Sequence, residues 1–197
     1  LRIAQVAPLY ERVPPQLYGG TELVVHHLTE QLVARGHDVT LFASGDSQTS
    51  ARLMPMSARS LRQDPDSKDP LVQHMRMIHE VYERARDFDL IHFHIDYLHF
   101  PTSERFGMPR LTTLHGRLDT PELAPLYHSF PEEPLVLTCG ATSREMASLG
   151  RRPNHLYVVD SMGLVSSITL GLALGLEDYP FAKVVGVEGD GGMLMNL

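Results

Sequence analysis

The stretch Arg2-Ile-Ala-Gln-Val-Ala-Pro8, then a polar loop, then Gly19-Gly20-Thr21-Glu22, decides how the rest of the sequence is read. A short apolar run bounded by turn formers and followed by a helical pattern marks the first strand–loop–helix unit of a parallel α/β sheet. Paired glycines let the backbone come close to a ligand and adopt dihedrals that other residues resist. Thr21 is placed to cap the helix, whose free N–H groups and positive dipole end favour a phosphate or carboxylate. An isolated Gly-Gly pair also fits a plain tight turn.

Outward from that unit, Val25, Leu28 and Leu32 recur at helical spacing between Thr21 and Arg35, and Gly36 ends the helix. His26 and His27 are adjacent and so point in different directions, which fits a solvated helix face better than a shared metal. Asp38 to Ala43 is a second strand, followed by the turn-forming Ser44-Gly45-Asp46-Ser47. Asp46 stands where many nucleotide-binding folds place a ribose-holding carboxylate, although a loop Asp more often serves the turn itself. Ser57 to Pro70 reads as a surface connection. A helix from Leu71 to Arg86 turns Met75, Ile78 and Tyr82 toward the core.

Asp89-Leu-Ile-His-Phe-His94 and Arg110-Leu-Thr-Thr-Leu-His-Gly116 are two further strands, each ending in histidine. Residues i and i+2 of a strand share a face, so His92 and His94 look the same way. Ligands of open parallel sheets sit at the C-terminal strand ends, where strand order switches. Gly19, Gly20, His94 and His115 are therefore expected at one edge. Three histidines there raise zinc, but no acidic residue or Cys at metal-like spacing supports it.

The 197 residues make one large domain or two small ones, and 43% hydrophobic with 21% charged residues is an ordinary soluble composition. A net charge of −7 argues against a nucleic-acid partner. One cysteine, Cys139, forms no internal disulfide and reads as a small buried hydrophobe, so the expected compartment is cytoplasmic. The Leu-Arg-Ile start lacks a signal-peptide layout, and the uncharged run from Met162 to Leu176 is too short to span a bilayer.

Residues 1–134 resemble the N-terminal domain of a family 4 glycosyltransferase of the GT-B type. The carriers are Arg2-Ile-Ala-Gln-Val-Ala-Pro8, Gly19-Gly-Thr-Glu22, Arg35-Gly-His-Asp-Val-Thr-Leu41, Asp89-Leu-Ile-His-Phe-His94 and Leu111-Thr-Thr-Leu-His-Gly116. The resemblance implies a Rossmann-like parallel sheet facing a cleft, with the acceptor held mainly on this side. A second domain would hold the nucleotide-sugar donor. It places Gly19, Gly20 and Thr21 against donor phosphates or acceptor, and His94 and His115 along the cleft. The resemblance puts the donor-binding carboxylates and basic clamp in that second domain, and none is expected within these residues.

From Leu135 the pattern changes. Leu135 to Glu145 is a strand and turn opening a helix, Leu156 to Asp160 a strand, and Leu164 to Leu174 a helix of small residues. Lys183 to Glu188 is a strand followed at once by Gly189-Asp190-Gly191. A carboxylate flanked by glycines at a strand end suits Mg²⁺ bridged to a diphosphate. With Thr138-Cys-Gly-Ala-Thr-Ser-Arg-Glu145, Asp160-Ser-Met-Gly163 and Gly189-Asp-Gly-Gly-Met-Leu-Met-Asn196, residues 135–197 resemble the diphosphate-binding part of thiamine-diphosphate decarboxylases of the phosphonopyruvate and sulfopyruvate type. That likeness makes Asp190 a Mg²⁺ ligand. It puts Ser161, Met162, Gly163, Gly189 and Gly191 on the cofactor. By that likeness the family's closing Asn is expected farther on than Asn196, and the pyrimidine-binding domain is expected outside these residues.

The expectation is a chimera or fragment joined near Leu135. Its first part is a glycosyltransferase acceptor-side domain, inactive without a partner domain or subunit. The alternatives are a fragment of a thiamine-diphosphate-dependent 2-oxoacid decarboxylase and a non-catalytic α/β binding protein. The join, Pro134 to Thr138, is expected to be a parallel strand of the first sheet, extended by Leu156–Val159 and Val184–Val187.

Overall fold

Val39, Thr40, Leu41, Phe42, Ala43 and Ser44 are all buried, an unbroken run that a strand tolerates only when both of its faces are covered. In the computed structural model, which describes residues 1–103, 105–115, 120–131 and 133 with the strands Leu135–Leu137 and His155–Tyr157, that run is the heart of β2 (Asp38–Ser44). The chain divides into two compact units, Leu1–Leu98 and His99–Leu197.

The first unit carries β1 (Arg2–Val6), α1 (Gly20–Ala34), β2, β3 (Arg52–Ser57), α2 (Pro70–Glu83) and β4 (Leu90–Phe93). All its strand pairs are parallel: Ile3 lies between Val39 and Leu90, and Gln5 between Leu41 and His92. Within this unit the strands lie in the order β3-β2-β1-β4. This is the Rossmann-like α/β arrangement expected from the sequence, with its order reversing between β1 and β4. At their N-terminal ends the strands are clasped: Asp38 N–H reaches Leu1 O at 2.9 Å, Asp89 N–H reaches Arg2 O at 2.8 Å, and the Asp89 carboxylate takes the Arg2 guanidinium at 2.7 Å.

Helix α1 starts at Gly20 with Gly19 as its N-cap and no side-chain cap bond. Thr21 therefore lies inside the first turn, which corrects its expected role as cap. The C-terminus matches the expectation. Gly36 takes φ +85°, its N–H reaches Val33 O and the His37 N–H reaches Leu32 O. Those two bonds form the Schellman pattern, and the left-handed residue it needs is cheapest as glycine.

Two elements differ from expectation. Residues 52–57 form β3, half-exposed and, among the described residues, paired only with β2, with Pro55 tolerated on an edge strand. Met75 is 49% exposed, whereas α2 buries His74, Met77, Ile78, Val81 and Tyr82. The inner stripe is thus one step round from the Met75 side, and it includes a histidine.

The second unit carries α3 (Phe100–Ser103), β5 (Arg110–Thr112), α4 (Leu123–Ser129), β6 (Leu135–Leu137) and β7 (His155–Tyr157). Phe100 packs edge-on against Tyr127 and Phe130, with ring centroids at 6.1 and 5.8 Å. Leu135–Leu137 is a parallel strand paired with His155–Tyr157, as expected of the join. Among the described residues its ladder partner is β7, so it belongs to a two-stranded sheet rather than to the first. The expected elements at 138–145, 158–174 and 183–191, with Cys139, fall outside the described residues.

Candidate functional site

Parallel strands leave their C-terminal ends open to loops, and here the switch between β1 and β4 brings two expected features to one edge. The β1–α1 loop, residues 7–19, leaves Val6, and His94 follows Phe93 of the neighbouring strand, its N–H bonded to Val6 O at 2.9 Å.

The loop is held from three sides. Leu9 N–H donates to His74 Nε2 of α2 at 3.0 Å. Leu61 N–H and Arg62 N–H donate to the carbonyls of Leu9 and Tyr10, and the Arg62 guanidinium bridges to Glu11 at 2.8 Å. Val13 N–H donates to Ser47 Oγ at 2.9 Å. Gly19 closes the loop in a crowded place. A Cβ there would stand 2.8 Å from Glu22 Oε2 and 2.9 Å from Pro15 Cβ, so glycine is required by the chain's own packing.

Glu22, third residue of α1, is buried against that turn. Burial pushes its carboxyl above the usual range and the nearby Glu11 adds to this, against hydrogen bonds from the backbone N–H groups of Glu22 and Glu11. The positive end of α1 thus already faces an internal carboxyl. Spacing flags it, since an acidic residue three after an N-cap is a helix-start signature.

His92 and His94 share a face as expected, with ring centroids 3.9 Å apart, and both are buried. His94 Nε2 is 2.9 Å from Oε1 of Gln5 on β1. An amide oxygen only accepts, so that ring nitrogen carries the proton. Gln5 is the residue that sequence reading passed over; a polar side chain inside an apolar central strand was the available signal.

Asp46 does not present a free carboxylate. Its two oxygens take the Ser60 N–H at 3.0 Å and the Ser60 hydroxyl at 3.1 Å. Burial acts to raise it, but hydrogen bonds from Ser44 and Ser60 prevail and hold it below the usual value. Its role is to fasten the β2–β3 loop to the turn before α2.

In the second unit His115 is half-buried just past β5. Deeper there, His99 Nδ1 meets Ser103 Oγ at 2.6 Å and Nε2 meets Thr112 Oγ1 at 2.8 Å. Ser103 also donates to the His99 carbonyl, at 2.9 Å. Burial and the positive Arg110 hold His99 well below its ordinary pKa, so it stays neutral. Arg110 itself forms a buried ion pair with Glu133.

Among the described residues no group of three or more His, Cys, Asp or Glu is placed to hold a metal ion, and no helix is long and apolar enough to cross a membrane. Ser161, Met162, Gly163, Gly189, Asp190 and Gly191 lie outside those residues.

Comparison with known proteins gives two likenesses. A segment of 66 residues is 46% identical to the sulfopyruvate decarboxylase subunit beta of Methanothermobacter thermautotrophicus, covering 34% of this chain and 34% of that protein. A 67-residue segment is 42% identical to the phosphonopyruvate decarboxylase of Streptomyces hygroscopicus, 34% of this chain and 16% of that one. The matched part therefore spans about a third of the first of these curated relatives and less of the second. Among solved structures, AviGT4, a glycosyltransferase involved in avilamycin A biosynthesis, is 20% identical with a TM-score of 0.45, over 80% of this chain and 41% of that one. The family model for glycosyltransferase family 4 matches residues 18–159, from the end of the β1–α1 loop through β7. The chain belongs to glycosyltransferase family 4.

Proposed function

We propose that this chain supplies the acceptor side of a GT-B glycosyl transfer, the donor nucleotide sugar being held by a partner domain or subunit. The observation that carries this is the family match over residues 18–159, together with a glycine-closed loop and His94 at the switch between β1 and β4. Gly19, Gly20, Thr21 and His94 contact the acceptor or the donor phosphates, and His115 joins them by resemblance to the family. Holding both reactants in register supplies much of the rate of such a transfer, so the chain by itself binds without turnover. The test is incubation with nucleotide sugars and saccharide acceptors, alongside amide NMR with each acceptor. Shifts at Gly19, Gly20, Thr21, His94 and His115 with no acceptor-dependent nucleotide release are expected. Catalytic release by the chain alone, or shifts confined elsewhere, would overturn the proposal.

A second reading rests on the decarboxylase likeness, 46% over 66 residues, close to the length of 135–197. Under it Asp190 is a Mg²⁺ ligand for thiamine diphosphate, with Ser161, Met162, Gly163, Gly189 and Gly191 around the diphosphate. No catalytic step is assigned to it. Calorimetry with thiamine diphosphate and Mg²⁺ should show weak binding that Asp190→Ala removes. Binding unchanged in that variant, or none at all, would reject this reading.

A further inference from the structure

Between the β1–α1 loop and the start of α2 sits one buried imidazole with both nitrogens committed. His74 is 1% exposed and Leu9 is fully buried. His74 Nδ1 is 2.7 Å from the Pro70 carbonyl, which only accepts, so Nδ1 carries the proton. Nε2 is then a bare lone pair, and it is the acceptor for the Leu9 N–H at 3.0 Å. This is the loop's bond to the interior of α2.

We propose that His74 is a protonation-gated latch: the neutral ring holds the strap end of the β1–α1 loop on α2, and the imidazolium releases it. An imidazolium carries N–H on both nitrogens. Its Nε2–H would confront the Leu9 N–H, donor against donor, at two fully enclosed residues. The release relieves that clash by turning the Leu9 N–H away from His74, while the Leu9 and Tyr10 carbonyls keep their bonds to Leu61 and Arg62.

The surroundings offer the cation little. Burial lowers the pKa of His74, and the Pro70 carbonyl only partly offsets this. From its own helix Asp69 is committed to the Leu71 N–H. From the loop, the Tyr10 ring lies 4.9 Å away, tilted by 39°, and Glu11 is committed to Arg62. From the turn before α2, Leu61 and Arg62 give backbone N–H groups to the loop carbonyls, bonds that do not change with the His74 proton. The hinge is thus confined to the His74 side, while the Val13–Ser47 bond keeps the far part in place.

The inference concerns the loop's mobility and stands apart from what the loop binds. It is tested on the full 197-residue chain by NMR between pH 7.5 and 5. The expected result is one shared midpoint for the His74 ring nitrogens and the Leu9 amide, below the ordinary value of about 6.5. Protection of the Leu9 amide from hydrogen exchange, corrected for intrinsic rates, should fall by up to roughly tenfold per pH unit between that value and the midpoint. In His74→Gln, whose amide oxygen accepts without titrating, the protection should be flat. A flat wild-type profile, or an equal slope in His74→Gln, overturns the proposal. Should His74→Gln fail to fold, the wild-type slope and the shared midpoint decide by themselves.

Discussion

Replacing Glu133 by Ala removes one half of the ion pair with Arg110, in which both side chains are only 3% exposed. The guanidinium cannot lose its proton at any relevant pH. It would keep one poor bond, Nη1 to the Phe106 carbonyl at 3.4 Å. Breaking one partner out of a buried pair costs about 3–5 kcal/mol, against a total stability of about 5–15 kcal/mol for a domain. With urea m-values of about 1–3 kcal/mol/M, the midpoint followed by Phe and Tyr fluorescence should fall by at least about 1 M. The compensating double variant Arg110→Met/Glu133→Leu removes both charges and should recover most of the loss, since buried pairs often only break even against apolar packing. Asp89→Asn at the exposed Arg2–Asp89 clasp is the control and should move the midpoint far less. A Glu133→Ala shift no larger than that of Asp89→Asn would show that the pair is solvated and that the reasoning fails.

Three further outcomes follow from particular residues. Met77→Ala should destabilise by about 2–5 kcal/mol, while Met75→Ser should stay within about 0.5 kcal/mol, both read from denaturation midpoints; equal effects would place the inner face of α2 wrongly. Gly36→Ala meets no atom within 4 Å yet must hold φ +85°, so a purely conformational loss of about 1–2 kcal/mol is expected, and a stabilised variant would contradict the Schellman turn. His99 is held neutral when folded and His74 is shifted the same way, so the unfolded chain takes up protons first. Stability should therefore decline as pH falls below about 6.5 and level off only below the folded values. Glu22, raised by burial, works in the opposite sense at lower pH. Thermal melts at pH 7.5, 6.5 and 5.5 check this, and a melting temperature that rises on acidification over that range would refute it.

The legible parts of the fold were those where local chemistry and tertiary packing agree. Gly36 ends α1 because a left-handed residue is needed there, and the alternation of His92 and His94 follows from strand geometry alone. β3 was not legible. Arg52-Leu-Met-Pro-Met-Ser carries a proline and no clean alternation, and it is a strand because β2 offers an edge to pair with. The inner face of α2 was misjudged because His74 counts as polar in a sequence. Only the Leu9 N–H and the Pro70 carbonyl, one of them 65 residues away in the chain, make it a core residue. Thr21 lost its cap position to Gly19, where Pro15 and Glu22 leave no room for a side chain. Leu135–Leu137 was readable as a strand, but its partner was not, since choice of sheet depends on contacts that periodicity does not carry. Of the candidate site, the placement of the loop and His94 was legible; Gln5 and Glu22 carried a signal, but their buried partners are set by tertiary contacts that the sequence does not display.

The N-terminal clasp has a consequence for how this scaffold tolerates change. Arg2, Asp38 and Asp89 tie β1, β2 and β4 at the opposite end from the β1–α1 loop and His94. β1 and β4 are thus anchored at one end and carry the β1–α1 loop and His94 at the other. Substitutions at the clasp should act on the melting temperature, and substitutions at the opposite end on loop geometry. An engineer who wants a sturdier chain has the first set of positions to work with, and can leave every loop residue untouched.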